Sequence, residues 1–292
     1  MKLQLGLEWF LNPDHLPMIA GIELGWYRDA GLELELVAPD DHYDGLAATV
    51  AGEIAFSCNE PLHMVDAPRP GLAALGCFFE TDGGILLHRQ AGERLLQGGH
   101  VRLASPVAGG VTDAIAIEIL SRWSTQQGAD FSPSQVSIES AGFAHLENLQ
   151  AGYDGAWLCF ANFEGVEARL AGLDVAFIDS AQVGLQNFSA LELFTGLAFL
   201  RQHRGVVARV CELVGRGAAL CRDDPAHAAR LWYLHTGEPA SDLMDAIIAD
   251  TCPRLVGPLL RDGSRWRPMW AQFDAMGLAR VDRAGYEALY AD

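Results

Sequence analysis

The sequence holds a single lysine, Lys2. Covalent capture of a carbonyl cofactor needs a free amine, so no loop beyond the first strand can offer a Schiff-base lysine. Cysteine is present but unpatterned. Cys58, Cys77, Cys159, Cys211, Cys221 and Cys252 form no C-x-x-C pair, and none stands beside a histidine at a metal-ligand spacing. Such residues read as small buried hydrophobes in a reducing compartment, and no metal site is expected. Basic residues are scarce: 20 against 38 acidic ones, for a net charge of −18. That balance excludes nucleic acid and anionic membrane surfaces as partners. No stretch approaches the roughly 18 apolar residues of a membrane span. The opening MKLQLGLEWF is a strand pattern without the apolar core and cleavage site of a secretory signal. As it stands the sequence reads as cytoplasmic, and as periplasmic if an exporting segment has been removed. A G-x-S-x-G elbow, an H-E-x-x-H motif and a P-loop are also missing, so no catalytic residue is assigned.

What is present is a chain of 292 residues, half of them hydrophobic, long enough for one large or two medium domains. Short apolar strands alternate with helical patterns, the signature of an α/β fold with largely parallel sheets. Strands are expected at 2–8, 32–39, 53–57, 71–80, 134–142 and 175–179, and helices at 15–30 and 42–51. Extended crossings near 81–86 and 190–196 predict two lobes, 1–82 with 196–292 and 83–195, joined by a hinge. Open α/β sheets bind ligands at their strand ends, so an interlobe cleft is the expected site.

Polar and aromatic residues gather where these strands finish. After the first strand come Trp9, Asn12, Asp14 and His15, in a loop stiffened by Pro13 and Pro17. Trp9 reads as a stacking platform or as core, Asp14 as a helix N-cap, and His15 as a hydrogen-bonding group or a rim residue. FSCNEPLHM repeats the arrangement with Asn59, Glu60 and His63 around Pro61 at a helix start. In SPVAGGVTDA, Gly109 and Gly110 precede a helix whose free amides suit a carboxylate or phosphate, unless the turn serves only packing. Phe143, Trp157, Asn162 and Glu164 complete the set. Glu164 would accept from an amino-substituted ring, or else cap its helix. The aromatics would stack on such a ring.

These segments resemble a known family. LEWFLNPDHLPMIAGIELGWYRDAGLELELV, GFAHLENLQAG, GAWLCFANFEGVEARLAGLDVAFID and RWRPMWAQFDAMGL are similar to bacterial thiamine-pyrimidine-precursor binding proteins. That family is related to sulfonate- and nitrate-binding components of ABC transporters and to the fungal thiamine pyrimidine synthase. The resemblance implies a type II periplasmic-binding-protein fold and an aminopyrimidine ligand. It also implies an ABC transporter permease as partner, no cofactor, and no insertion into membranes. Trp9, Asn12, His15, Asn59 and Glu164 would contribute to the pocket. The alternative is a cytoplasmic enzyme of the same fold, synthase-like or decarboxylase-like, with His63, His15 and Glu60 as acid–base groups. The synthase, however, carries a lysine where this chain has Asn59. Its cysteine-rich iron motif falls where this chain reads ELFTGLAFL.

Overall fold

The computed structural model describes residues 1–38 and 44–291. Positions 39, 42 and 43, expected in the second strand and the helix after it, lie outside that range. Ten strands follow in chain order: β1 (Lys2–Gly6), β2 (Glu33–Val37), β3 (Phe56–Asn59), β4 (Leu72–Glu80), β5 (Gly83–His88), β6 (Val101–Ser105), β7 (Val136–Ser140), β8 (Gly155–Phe160), β9 (Val175–Asp179) and β10 (Ala190–Gly196). They are divided between two compact units, Met1–Glu80 with Phe188–Asp292, and Thr81–Asn187.

In the first unit the strand order is β2-β1-β3-β10-β4. β1 lies parallel to both β2 and β3, with Leu3 opposite Leu34 and Leu5 opposite Leu36. These leucines alternate with polar positions, so one face of each strand reaches the core. β10 runs antiparallel to β3 and β4. The sheet is therefore mixed rather than largely parallel. The chain leaves through β4 and returns at the same end, which forces β10 to run the other way. Residues 188–195, expected in the second lobe, consequently belong to this unit. β4 stands at the sheet edge yet is almost wholly buried. Val256 donates its backbone N–H to Phe78, and Phe79 bridges Leu255, so a C-terminal segment covers the edge. Gly76, at φ 143°, lets Leu260 pass where a Cβ would come within 2.8 Å of its backbone nitrogen.

The expected helix over 15–30 is broken. Leu16–Glu23 ends at Leu24, Gly25 adopts a left-handed conformation, and Trp26–Asp29 forms a separate turn. The long helix Arg204–Asp223 packs on Leu16–Glu23, with Gly217 facing Pro17.

In the second unit the order is β7-β6-β8-β5-β9. β6 is parallel to β7 and β8, whereas β5 is antiparallel to β8 and β9. Leu86, Leu149, Ala156, Cys159 and Ala168 form a core cluster beneath the flanking helices. Asn187 Nδ2 donates to the Thr81 carbonyl, 2.8 Å away, tying the first and last residues of the unit together. A register shift opposite Gly84 leaves Leu158 unpaired at φ 66°. A left-handed leucine stores strain on the order of 1–3 kcal/mol, and such bulges re-aim the side chains beside them. Trp157, Cys159 and the turn leading to Glu164 flank this point.

Candidate functional site

Glu8 stands two residues beyond β1 and turns its carboxylate inward, although its neighbours in LGLEWF are apolar. His15 Nε2 and Cys58 Sγ both lie 3.0 Å from Glu8 Oε2. His15 and Cys58 are fully buried, and the Glu8 side chain is 6% exposed. β1 and β3 are neighbours in register, Gly6 opposite Ser57, which brings Glu8 to Cys58 across 50 residues of chain. His15 arrives from the 3₁₀ turn Pro13–His15, capped by Asn12: the Asn12 Oδ1 accepts from the Asp14 N–H at 2.9 Å. The cap expected of Asp14 thus belongs to Asn12, whose Nδ2 also donates to the Phe10 carbonyl.

The electrostatics follow from burial and pairing. Burial opposes the charge on Glu8, but the neighbouring His15 outweighs it and holds the carboxyl below its ordinary range. Burial likewise opposes a charged His15, and the Glu8 carboxylate prevails, raising the imidazole. Burial pushes the Cys58 thiol well above its usual value, with the Glu8 charge adding to it. A thiol so raised is a poor nucleophile.

The other expected residues of this unit sit at the end of β3. Asn59 is half-buried, and Glu60 and His63 keep about a third of their side chains exposed. His63 Nδ1 pairs with Asp66 Oδ2 at 2.7 Å while its Nε2 lies 3.6 Å from Glu60. Burial raises Glu60, partly countered by His63. His63 is raised against its own desolvation, chiefly through the Asp66 hydrogen bond. Trp9 is half-buried, its ring centroid 4.0 Å from that of Phe10. Opposite Asn59 in register stands Glu192 on β10, fully buried, accepting from Trp266 Nε1 at 3.0 Å. Burial pushes this carboxyl up to about 7.

In the second unit, Glu164 opens the helix Glu164–Leu170 and accepts the Phe160 N–H at 2.7 Å. That oxygen closes the turn between β8 and the helix and does not cap the helix, whose start has no side-chain cap. Glu164 and Asn162 are buried, Trp157 is fully buried on β8, and Phe143 is half-exposed. Gly109 and Gly110 are exposed, and Gly109 donates its N–H to Asp113 Oδ2 at 2.6 Å. The helix start expected to attract an anion already holds its own carboxylate.

Asn12 and His15 make local hydrogen bonds: their polar atoms complete the turn and the Glu8 pair. The glycine turn does not present its Gly109 amide to an anion, because Asp113 takes it. Glu8, Cys58 and Glu192 were not singled out by sequence. The available signal was an acidic residue inside an apolar strand pattern, in LGLEWF and in ALELFTG.

Two α/β units, each built on a mixed five-stranded sheet, carry the fold of the solute-binding proteins of ABC import systems. The ligand-binding component of an ABC-type import system from Staphylococcus aureus, solved with zinc bound, superimposes with a TM-score of 0.70. It covers 98% of both chains at 13% identity. The alkanesulfonate-binding protein of Xanthomonas axonopodis pv. citri, bound to MOPS, gives a TM-score of 0.68 over 95% of this chain and 94% of its own, at 15% identity. These likenesses carry the fold alone. The chain belongs to the NMT1/THI5-like family, whose model matches residues 12–75 and 108–228. A relative from Legionella pneumophila is named 4-amino-5-hydroxymethyl-2-methylpyrimidine phosphate synthase. It is 21% identical over 274 residues, 91% of this chain and 83% of that protein. Among the described residues, no helix is long and apolar enough to cross a membrane.

Proposed function

We propose that this protein is a solute-binding protein for a small planar nitrogen heterocycle, an aminopyrimidine precursor of thiamine. The observation that carries this reading is the chemistry of the strand ends. Segments 7–16, 56–66 and 155–167 supply tryptophan, asparagine, histidine and glutamate, and contain no lysine or arginine. Such a set accepts hydrogen bonds from ring amines and stacks on a flat ring, but offers a sulfonate or nitrate no lysine or arginine, and its histidines His15 and His63 already face carboxylates. The proposed contacts in the first unit are Trp9, Asn59, Glu60 and His63. In the second unit they are Phe143, Asn162 and Glu164, with the buried Trp157 supporting β8 beside them. An ABC permease is the partner this reading implies.

Thermal shift and calorimetry test it. 4-Amino-5-hydroxymethyl-2-methylpyrimidine should raise the melting temperature, whereas MOPS and nitrate should not. Trp9→Ala should weaken aminopyrimidine binding about 5- to 10-fold, the worth of one aromatic stack of ~1 kcal/mol. Glu164→Gln should cost roughly 10-fold or more, because a hydrogen bond to a charged acceptor is worth about 1.5–3 kcal/mol. Tight sulfonate binding, or unchanged affinity in both variants, would refute the assignment.

The enzyme reading is favoured by one observation, the synthase name of the Legionella relative. Asn59 in place of a lysine and ELFTGLAFL in place of a cysteine-rich motif count against the resembled synthase chemistry. Formation of a pyrimidine product by the purified protein would reverse that judgement.

A further inference from the structure

We propose that Glu8, His15 and Cys58 form a binding site for a divalent cation of the zinc class. One carboxylate oxygen, one imidazole nitrogen and one sulfur lie within 4.8 Å of one another, brought together from the loop after β1 and from β3 of the first unit. Mixed oxygen, nitrogen and sulfur donors suit zinc, cobalt or a similar borderline-soft ion, and disfavour magnesium and calcium. Ligand bonds of about 2.0–2.3 Å in a tetrahedral arrangement require donors about 3.3–3.6 Å apart. The two 3.0 Å separations about Glu8 Oε2 open by a few tenths of an ångström, while His15 Nε2 and Cys58 Sγ, within 4.8 Å of each other, settle to about 3.5 Å.

The surroundings fit a built site. His15 Nδ1 lies 3.2 Å from the Asn12 backbone nitrogen and 3.1 Å from the Asn12 carbonyl oxygen; in the Nδ1–H tautomer the carbonyl contact is the outer-shell bond that leaves Nε2 for a metal. Asn12 and Pro13 hold that turn rigidly. Three protein ligands leave a fourth position for water or another small donor, and the slight exposure of Glu8 marks the way in. An M²⁺ ion held by one carboxylate and one thiolate sets +2 against two anionic ligands, which avoids the cost of burying an uncompensated ion. The proposal stands apart from the heterocycle reading, since neither requires the other.

The test uses the untagged full chain, freed of metal by a chelator and dialysed. Cobalt(II) is expected to bind with one equivalent and to show a thiolate-to-cobalt charge-transfer band in the near ultraviolet. Zinc should displace it and shield Cys58 from alkylation, read by mass spectrometry. Cys58→Ser keeps a hydrogen-bond donor to Glu8, yet should abolish the band. It should weaken zinc by more than about 100-fold, since removing an outer-shell partner alone costs 10- to 100-fold. Cys77→Ser, at another buried thiol, should change neither. No charge-transfer band, or unprotected alkylation of Cys58 at saturating zinc, would overturn the proposal. These wild-type readouts decide it even if Cys58→Ser fails to fold. Heterocycle affinity is measured separately in chelated protein, so failure of one reading is distinct from failure of the other.

Discussion

Gly217→Ala is expected to destabilise the protein by about 2–4 kcal/mol. A Cβ at Gly217 would lie 2.1 Å from the Pro17 carbonyl oxygen, 2.8 Å from its carbonyl carbon and 2.9 Å from its Cα. All three are backbone atoms, so no rotamer change can relieve the clash. Either the helix Arg204–Asp223 moves away from Leu16–Glu23 or the turn before Pro17 shifts. Overpacking of this kind costs about 1–3 kcal/mol, and more where backbone meets backbone. The helix-propensity gain of roughly 1 kcal/mol offsets part of it. Gly205, in the first turn of the same helix, has nothing within 4 Å of an added Cβ. Gly205→Ala should therefore be neutral or stabilising by up to ~1 kcal/mol. Urea unfolding of the two variants provides the comparison, and similar effects in both would refute the close-approach argument. Pro17 directly follows the turn that carries His15, so Gly217→Ala should also disturb the Glu8 cluster.

Glu192→Gln is expected to stabilise the protein at alkaline pH and to leave it unchanged near pH 4. The carboxyl is fully buried on β10, and desolvation raises it from 4.5 to about 7, opposed by the Trp266 hydrogen bond and by Arg265. Because the folded state holds this proton more tightly than the unfolded chain, its contribution is complete below about pH 4.5. It is lost as pH rises through about 7, and stability is flat in this term above that. The shift corresponds to roughly 3 kcal/mol carried as a penalty by the ionised form. Glutamine keeps an acceptor for Trp266 Nε1 and removes the charge. Stability curves at pH 5 and pH 8 should therefore diverge by about 2–3 kcal/mol between wild type and variant. An identical pH dependence in the two proteins would mean that Glu192 ionises freely. As Asn59 is its register partner, the same variant tests whether the end of β3 depends on this buried proton.

The two misreadings of the fold have local causes. The helix over 15–30 satisfies helical periodicity throughout, and only the left-handed Gly25 divides it. Periodicity registers apolar spacing and not the sign of φ, so a single glycine inside the pattern is weak evidence. β10 is an apolar strand by any reading, but its antiparallel direction comes from where the chain re-enters the sheet. The site shows the same division. Asn12, Asn59, Glu60 and Glu164 stand out as polar groups at strand ends. Whether such a group faces a ligand or completes a turn depends on hydrogen bonds that the order of residues does not specify. Asn12 became a cap, taking an orphan N–H at a helix start, and one oxygen of Glu164 took the Phe160 amide at the end of β8, because free backbone N–H groups at element ends compete for those same oxygens.

The order of residues by itself determined most of the strands, the α/β class and the absence of a lysine from every later loop. These depend on side-chain alternation and charge, which are local properties. Tertiary structure alone decided that Glu8, His15 and Cys58 meet, that Glu192 is sealed beneath Trp266, and that Gly217 must remain bare. Each is a contact between segments distant in sequence, set by strand register or helix packing, and the energies involved appear only when water has been removed from between them.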